Sequence, residues 1–288
     1  MMKIAFIGIG VMGRSMVINL LKAGYPVSVY SRREESAREV VEQGAEWRRS
    51  IADCVREADM IITMVGYPRD VEEVYFKEGG IVESAPAGAI LADMTTTSPK
   101  LAVRIFEAAG ARGLSALDAP VSGGDIGARN GTLAIMAGGE EDVFRRALPV
   151  FECMGKTIRY QGKAGSGQHT KMANQIAIAG TAAGVAEALS YAKAAGLDPA
   201  ATLDAISGGS AVSWQMLNNG PKMLKRDFAP GFFIKHFIKD MSLAREEAED
   251  RELSLPVLSQ VLELYRALAD KGLGDEGTQA IIRAYDKE

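Results

Sequence analysis

Three glycines near the start of the chain have a spacing that lets the backbone approach a pyrophosphate. Gly8, Gly10 and Gly13 form a G-x-G-x-x-G pattern, directly after the apolar run 3–8 and at the beginning of a helical pattern. In that context the pattern predicts a dinucleotide whose phosphates lie at the helix N-terminus. The alternative is a tight strand–helix turn that binds nothing. The candidate cofactor residues here are Gly8, Ile9, Gly10, Val11, Met12 and Gly13.

The end of the second predicted strand carries a hydroxyl and two guanidinium groups. An Asp or Glu at this point would accept the ribose 2′-hydroxyl of NAD. This chain has Ser31, Arg32 and Arg33 instead. Charge-assisted hydrogen bonds from Arg32 to a 2′-phosphate are worth about 1.5–3 kcal/mol each, and Glu34 and Glu35 offset part of that charge. The segment therefore predicts a preference for NADP, with NAD as the alternative.

A glycine loop after a later strand offers hydrogen-bond donors without bulky side chains. In the run LDAPVSGG, Ser122 supplies a hydroxyl, and Gly123 and Gly124 supply unhindered backbone N–H groups. Such a group of donors suits a small carboxylate. Taken alone, the run also fits an ordinary glycine loop.

One lysine and two amide side chains share a helix face further along the chain. A helix that begins near Ser166 places Lys171, Asn174 and Gln175 on one face, because positions i, i+3 and i+4 are neighbours. That face is polar at the entrance to an otherwise apolar helix of small residues. Taken alone, the pattern also fits a solvated first turn.

The elements that must position these residues alternate between strands and helices in the first half of the chain. Apolar runs predict strands at 3–8, 26–31, 59–66, 89–94, 114–120, 133–139 and 157–162. Between most of them lie helical patterns; in one, Ser98 is a natural N-cap and Pro99 a natural first residue. The alternation predicts an α/β class with a doubly wound, mostly parallel sheet of the Rossmann type, covered on both faces.

Helical periodicity dominates from Gly165 onward. We therefore predict a dinucleotide-binding domain at residues 1–163 and an all-helical domain for substrate binding and oligomerisation at residues 164–288. The long helix that carries Lys171 joins the two.

The bulk composition excludes several classes of protein. The chain has 288 residues, of which 47% are hydrophobic and 24% charged, which is ordinary for two globular domains. A net charge of −4 gives no overall basic field for nucleic acid or anionic membranes. The two cysteines and two histidines have no metal-ligand spacing, which favours a reducing, cytoplasmic setting and argues against a metal site. No run reaches the roughly 18 apolar residues that a membrane span needs.

Together, these segments resemble the β-hydroxyacid dehydrogenases, the family of 3-hydroxyisobutyrate dehydrogenase and tartronate semialdehyde reductase. The resemblance covers the whole chain and rests on six motifs in the family's order and spacing. The motifs are FIGIGVMGRSMVINLLKAGY, DMTTTSP, LDAPVSGG, GTLAIMAGG, GSGQHTKMANQ and FIKDM. It implies hydride transfer between NADP(H) or NAD(H) and a small β-hydroxyacid or semialdehyde.

The resemblance also implies a role for each candidate residue. Lys171 matches the family's catalytic acid/base. The substrate-binding set is Ser122, Gly123, Gly124, Asn174, Gln175 and Lys239, with Asn174 preferred over Gln175 because many members have two asparagines at these positions. The nicotinamide side receives Val65, Gly66 and Thr96, and Lys239 belongs to the cofactor set as well. The family further implies packing through the helical domain, hence a homodimer or homotetramer.

Lys171 can act as a base only if its neutral form is accessible. A free lysine has a pKa near 10.4, and lowering that pKa to about 7–8 destabilises the cation by roughly 4 kcal/mol. Burial, the positive end of its own helix and the charge of Lys239 are expected to act in this direction. The nicotinamide carries the hydride, so the reaction requires no metal.

Two other functions remain as alternatives. A 6-phosphogluconate-dehydrogenase-like enzyme would have a histidine three residues after the lysine and a much longer helical domain, whereas this chain has Asn174 there. Imine-reducing relatives usually lack the lysine. A non-catalytic NADP-binding or scaffold protein on the same fold would be signalled by loss of Lys171 or Ser122, and both are present.

Overall fold

The computed structural model describes residues 1–286, which belong to two compact units. The first unit is Met1–Lys171 and the second begins at Met172, so the division falls inside one long helix. The sequence-based prediction placed the boundary between residues 163 and 164. Residues 287 and 288, the last two of the predicted second domain, lie outside the described residues.

The first unit is built on one sheet of nine strands. The strands are β1 (Ile4–Ile7), β2 (Val27–Tyr30), β3 (Glu46–Trp47), β4 (Met60–Thr63), β5 (Ile90–Asp93), β6 (Ser115–Asp118), β7 (Val121–Ser122), β8 (Leu133–Gly139) and β9 (Gly155–Gly162). Their spatial order is β3-β2-β1-β4-β5-β6-β8-β7, and β9 pairs with β8. The pairs from β3 to β6 are parallel, β8 is antiparallel to β6 and β7, and β9 is parallel to β8.

All seven predicted strands are present, and the mostly parallel sheet is confirmed. The two strands that the sequence did not predict, β3 and β7, have two residues each, which is too short for any periodicity to be recognised.

Helices cover the sheet on both faces, as predicted. The helices of this unit are α1 (Val11–Lys22), α2 (Arg38–Glu42), α3 (Ile51–Val55), α4 (Pro68–Phe76), α5 (Ile81–Ser84), α6 (Pro99–Gly110), α7 (Gly124–Asn130) and α8 (Glu141–Phe151), with a 3₁₀ turn at Glu34–Ala37. Alternate residues of β1 belong to different cores, since Ile4 and Phe6 lie in one buried cluster and Ala5 and Ile7 in another. The predicted cap of α6 is confirmed, because the Ser98 hydroxyl accepts the Lys100 N–H.

The strand order has a switch point beside β1. From β1 the chain continues through α1 to β2 on one side, and from β3 it crosses to β4 on the other side of β1. In open α/β sheets, ligands bind outside the carboxyl ends of the strands at such a point. The loops that follow β1, β2, β4, β5 and β6 all lie at this carboxyl edge.

The second unit is helical, as predicted. Its elements are α9 (Ser166–Ala194, entering from the first unit), α10 (Pro199–Ser207), α11 (Gly220–Lys225), α12 (Ile234–Glu249) and α13 (Pro256–Leu268), with π-turns at Gln215–Asn219 and Ala269–Leu273 and a 3₁₀ stretch at Thr278–Tyr285. Phe237 and Tyr265 meet edge to face at 5.1 Å in its core. Within residues 1–286, no helix combines the length and the apolar character required to cross a membrane.

Candidate active site

The packing of the protein requires two glycines of the turn between β1 and α1, Gly8 and Gly13, and does not require the third, Gly10. A Cβ at Gly13 would overlap the carbonyl oxygen of Gly8, so close packing of the helix on the turn excludes any side chain there. A Cβ at Gly10 would have no described atom within 4 Å apart from those of Gly10 and its two chain neighbours. The absence of a side chain at Gly10 therefore leaves space for a ligand, which fits the close approach of a pyrophosphate.

The N-terminus of α1 offers a suitable charge environment for phosphate. Gly10 is the N-cap, and the first turn, Val11 to Gly13, has no acidic residue. The positive end of the helix dipole and the first backbone N–H groups favour an anion there. Ile9 is buried beneath the turn, whereas Val11 is exposed at its surface.

The residues after β2 lie beside an acid that the sequence did not reveal. The Ser31 hydroxyl donates to the Arg33 carbonyl oxygen at 2.7 Å, which fixes the backbone of this segment. Arg32 is mostly exposed, and its Nη1 lies 3.7 Å from Oδ1 of Asp70, in the first turn of α4. The other oxygen of Asp70 accepts the Tyr67 N–H at 3.0 Å, so this carboxylate is held in place by its helix cap. The guanidinium charge at this position is thus partly balanced.

The loops after β4 and β5 are joined through one threonine. The Val65 N–H donates to Thr95 Oγ1 at 3.0 Å, and the Thr95 N–H donates to Oδ1 of Asp93 at 3.1 Å. Thr96 is half-exposed between the buried residues Thr95 and Thr97. The structure therefore brings together the Val65–Gly66 and Thr96 segments. The family resemblance predicts that both segments lie beside the nicotinamide.

The predicted carboxylate loop follows the short strand β7. Ser122 is half-buried and lies opposite Ala134 of β8. Gly123 is the N-cap of α7 with φ = 132°, and Gly124 follows with φ = 62°. Backbone N–H groups at the start of a helix, next to a hydroxyl, are the donors that a carboxylate requires.

Lys171 is a buried residue near the beginning of α9. The helix begins at Ser166, as predicted, and the side chain of Lys171 is only 5% exposed. The alternative of a solvated first turn is therefore wrong for this lysine.

In the second unit, the two predicted amides are hydrogen-bonded in a chain to Asp240, which forms an ion pair with Lys239. Asn174 Nδ2 donates to Gln175 Oε1 at 2.8 Å, and Gln175 Nε2 donates to Asp240 Oδ2 at 2.6 Å. The other oxygen of Asp240 lies 3.1 Å from Lys239 Nζ. Gln175 is 1% exposed with both ends of its amide engaged, whereas Asn174 is only partly buried. This arrangement favours Asn174 as the residue that reaches a ligand.

Two buried carboxyl groups at the carboxyl edge of the sheet were not predicted. Asp93 ends β5 and Asp118 ends β6, and the two are direct partners in the strand register. Loss of hydration raises the pKa of each to about 6. The signal that could have revealed them is an acidic residue at the end of each of two successive apolar strands. Residues 1–286 contain no group of three or more His, Cys, Asp or Glu side chains that could hold a metal ion.

The chain matches two family models, one for each half. The model described as the NAD binding domain of 6-phosphogluconate dehydrogenase matches residues 3–162. The model described as the NAD-binding of NADP-dependent 3-hydroxyisobutyrate dehydrogenase matches residues 165–285.

Individual relatives cover nearly the whole chain. An uncharacterised oxidoreductase of Bacillus subtilis is 55% identical over 99% of both proteins. The 2-hydroxy-3-oxopropionate reductase of Escherichia coli is 40% identical over 99% of this chain and 97% of that protein. Among solved structures, the 3-hydroxyisobutyrate dehydrogenase of Mycobacterium tuberculosis with L-serine is 32% identical, with a TM-score of 0.91 over 100% of both chains.

Proposed function

Because the chain belongs to the β-hydroxyacid dehydrogenase family and is an NAD(P)-dependent hydroxyacid dehydrogenase, we propose that it interconverts a small β-hydroxyacid and its semialdehyde with Lys171 as the acid/base. The observation that carries this proposal is the burial of Lys171 in the second turn of a helix whose beginning is hydrogen-bonded to the loops at the carboxyl edge of the sheet.

The proton and the hydride take separate routes. A nicotinamide dinucleotide held by the glycine turn, Val65, Gly66 and Thr96 would supply the hydride chemistry. The neutral Nζ of Lys171 takes the hydroxyl proton as the alcohol is oxidised, and its ammonium form gives a proton to the carbonyl oxygen in the reverse direction. Ser122 with the Gly123 and Gly124 N–H groups holds the substrate carboxylate, and Asn174 holds a second polar group.

The dinucleotide is NADP(H) in preference to NAD(H). The support is the exposed guanidinium of Arg32 and the absence of an acid at the end of β2, where Tyr30 is followed by Ser31. The protein assembles as a homodimer or homotetramer through its helical unit.

The experiment that tests the catalytic role removes the amino group of Lys171 and keeps an unbranched, mostly apolar side chain. Lys171→Met should lower kcat by about 10²–10⁴-fold, the range for loss of general acid–base catalysis. The affinity for the dinucleotide should not change, because the glycine turn and Arg32 are intact. Lys193→Met is the matched control, since it removes an exposed lysine from the last turn of the same helix.

Steady-state rates with a panel of hydroxyacids and semialdehydes, together with dinucleotide titrations, decide the result. Near-normal kcat in Lys171→Met would show that another group transfers the proton. A wild-type protein that binds the dinucleotide and turns over no member of the panel would favour the non-catalytic alternative.

A further inference from the structure

The first turn of α9 is capped by a carboxylate that comes from the sheet. Asp118, the last residue of β6, is 4% exposed. Its Oδ1 accepts the Gly165 N–H at 2.7 Å and its Oδ2 accepts the Gln168 N–H at 2.8 Å. These are N–H groups that a helix beginning leaves without a partner inside the helix. An anion at this end is also favoured by the helix dipole.

Two glycines show how tightly the carboxylate is enclosed. A Cβ at Gly167, in the first turn of α9, would overlap the Met136 carbonyl oxygen and lie 2.8 Å from Oδ2 of Asp118. A Cβ at Gly138 of β8 would lie 2.6 Å from Oδ1. The beginning of the helix therefore packs directly against the edge of the sheet. This close packing leaves the Asp118 side chain little room to move.

The side chain of Gln168 extends the same connection to the loop after β5. Its Oε1 accepts the Thr97 N–H at 3.0 Å, and its Nε2 donates to the Thr95 carbonyl oxygen at 2.7 Å. Gln168 is fully buried, and both ends of its amide are engaged. The two bonds hold the turn on either side of Thr96 and connect it directly to the beginning of the helix.

We propose that Asp118 and Gln168 are positioning residues, which together fix the place of Lys171 relative to the Thr95–Thr97 turn. This inference rests on the proposed function, in which Lys171 exchanges the proton and Thr96 lies on the nicotinamide side. Neither residue needs to touch substrate or cofactor.

The geometry gives the reason. Lys171 follows Gln168 by three residues, which is less than one helical turn, about 4.5 Å along the axis. Any tilt or shift of the first turn therefore passes directly to Lys171. Because proton and hydride transfer require reacting groups in a narrow range of positions, a misplacement of about 1 Å can cost about 10²-fold in rate.

The first variant removes the amide and keeps the volume of the side chain. In Gln168→Leu, kcat should fall by about 10- to 100-fold, while KM for the acid substrate changes much less. The emission of bound reduced dinucleotide should shift towards that of the free form, because the turn beside the nicotinamide is released. The affinity for 2′,5′-ADP, which lacks the nicotinamide, should stay at the wild-type value. Thr170→Val is the matched control, because Thr170 bonds Ser166 and Gln161 on another side of the same helix.

The second variant acts on the cap. Asp118→Asn keeps the size of the side chain and loses one of two equivalent acceptors and the negative charge. Amide hydrogen exchange in the first turn of α9 should become faster, and kcat should fall in parallel with that change.

If Gln168→Leu does not fold, Gln168→Glu replaces it, since it keeps the acceptor for Thr97 and loses the donor to Thr95.

The outcomes separate this inference from a purely structural role. Lower melting temperature in both variants with wild-type kcat and wild-type nicotinamide emission would overturn it. Loss of 2′,5′-ADP affinity equal to the loss for the whole dinucleotide would overturn it as well, because the effect would then not be local to the nicotinamide side. If Lys171→Met retains activity, the proposed function fails, whereas the emission measured in Gln168→Leu still reports on the turn.

Discussion

Arg32 carries its guanidinium at the end of β2, 3.7 Å from a carboxylate oxygen of Asp70. With 78% of its side chain exposed, it can contact a 2′-phosphate, and each charge-assisted bond contributes about 1.5–3 kcal/mol. Arg32→Ala should therefore lower kcat/KM for NADP⁺ by at least about tenfold and leave that for NAD⁺ nearly unchanged. Steady-state kinetics of wild type and variant with both dinucleotides gives the ratio of kcat/KM for NADP⁺ to kcat/KM for NAD⁺.

A substitution at Asp70 should change the cofactor preference in the direction opposite to Arg32→Ala. Asp70→Asn keeps an acceptor for the Tyr67 N–H and removes a negative charge near the guanidinium. The preference for NADP⁺ should then rise, because the phosphate no longer competes with a neighbouring carboxylate. Equal wild-type efficiencies with the two dinucleotides, or a ratio that neither variant changes, would show that this segment does not select the cofactor.

Ser122 tests the carboxylate loop. Its hydroxyl stands next to Gly123, the N-cap of α7, and a hydrogen bond to a charged group is worth about 1.5–3 kcal/mol. Ser122→Ala should weaken kcat/KM for an acid substrate by about 10- to 100-fold and for the corresponding amide much less. Both analogues are measured with wild type and variant. An amide that is turned over as well as the acid, or an equal loss for both, would assign Ser122 another role, such as shaping the turn.

At the scale of elements, strands β5 and β6 end in the register partners Asp93 and Asp118. Their ordinary pKa of 3.8 is raised to about 6 in the folded protein, because burial costs the charged form its hydration. For Asp93 the negative charge of Asp118 acts in the same direction. The folded protein thus keeps protons that the unfolded chain releases between about pH 4 and about pH 6.

This difference sets the sign of a stability change. Since the folded state binds more protons in that window, the free energy of unfolding should fall as the pH rises from about 4 to about 6 and then level off. Asp118→Asn removes one of the two carboxyl groups. Over the same pH window, the free energy of unfolding of this variant should therefore fall less than that of the wild type. Urea titrations at several pH values measure this slope. Asp142→Asn, which removes an exposed carboxylate from α8, is the control, and a slope that Asp118→Asn leaves unchanged would contradict the assignment.

At the scale of the whole molecule, the second-unit part of α9 carries an exposed face of small residues. Ala173, Ala177, Thr181 and Gly184 lie along it at helical spacing. A face of this kind allows another helix to approach closely, which agrees with the assembly that the family resemblance implies.

Light scattering tests this assembly. The wild-type protein at micromolar concentration should have a mass of at least twice the 30.7 kDa of one chain. Gly184→Glu should lower that mass, because it places a charge on the exposed face. The single chain can accept the side chain, since a Cβ there meets no described atom within 4 Å outside the adjacent backbone of its own helix. Ala111→Glu, exposed in the first unit, should leave the mass unchanged. A wild-type mass of 30.7 kDa would refute the assembly.

The sequence by itself determined the features that depend on neighbouring residues. The seven predicted strands follow from apolar runs of a few residues, the cap at Ser98 from local hydrogen bonding, and the start of α9 near Ser166 from helical spacing. The dinucleotide turn also belongs here, because Gly8, Gly10 and Gly13 act within six residues of one another. The order of motifs along the chain was enough to indicate the family.

Only the tertiary structure decided which distant residues act together. The bonds from Gln168 to Thr95 and from Asp118 to Gln168 join residues 73 and 50 positions apart, and no local pattern distinguishes them from other polar residues. The same holds for the Asp70 carboxylate beside Arg32, the antiparallel direction of β8 and the burial of Lys171. Periodicity and capping are set within a few residues, whereas burial and long-range hydrogen bonds exist only once the sheet and the helices that pack on it have assembled.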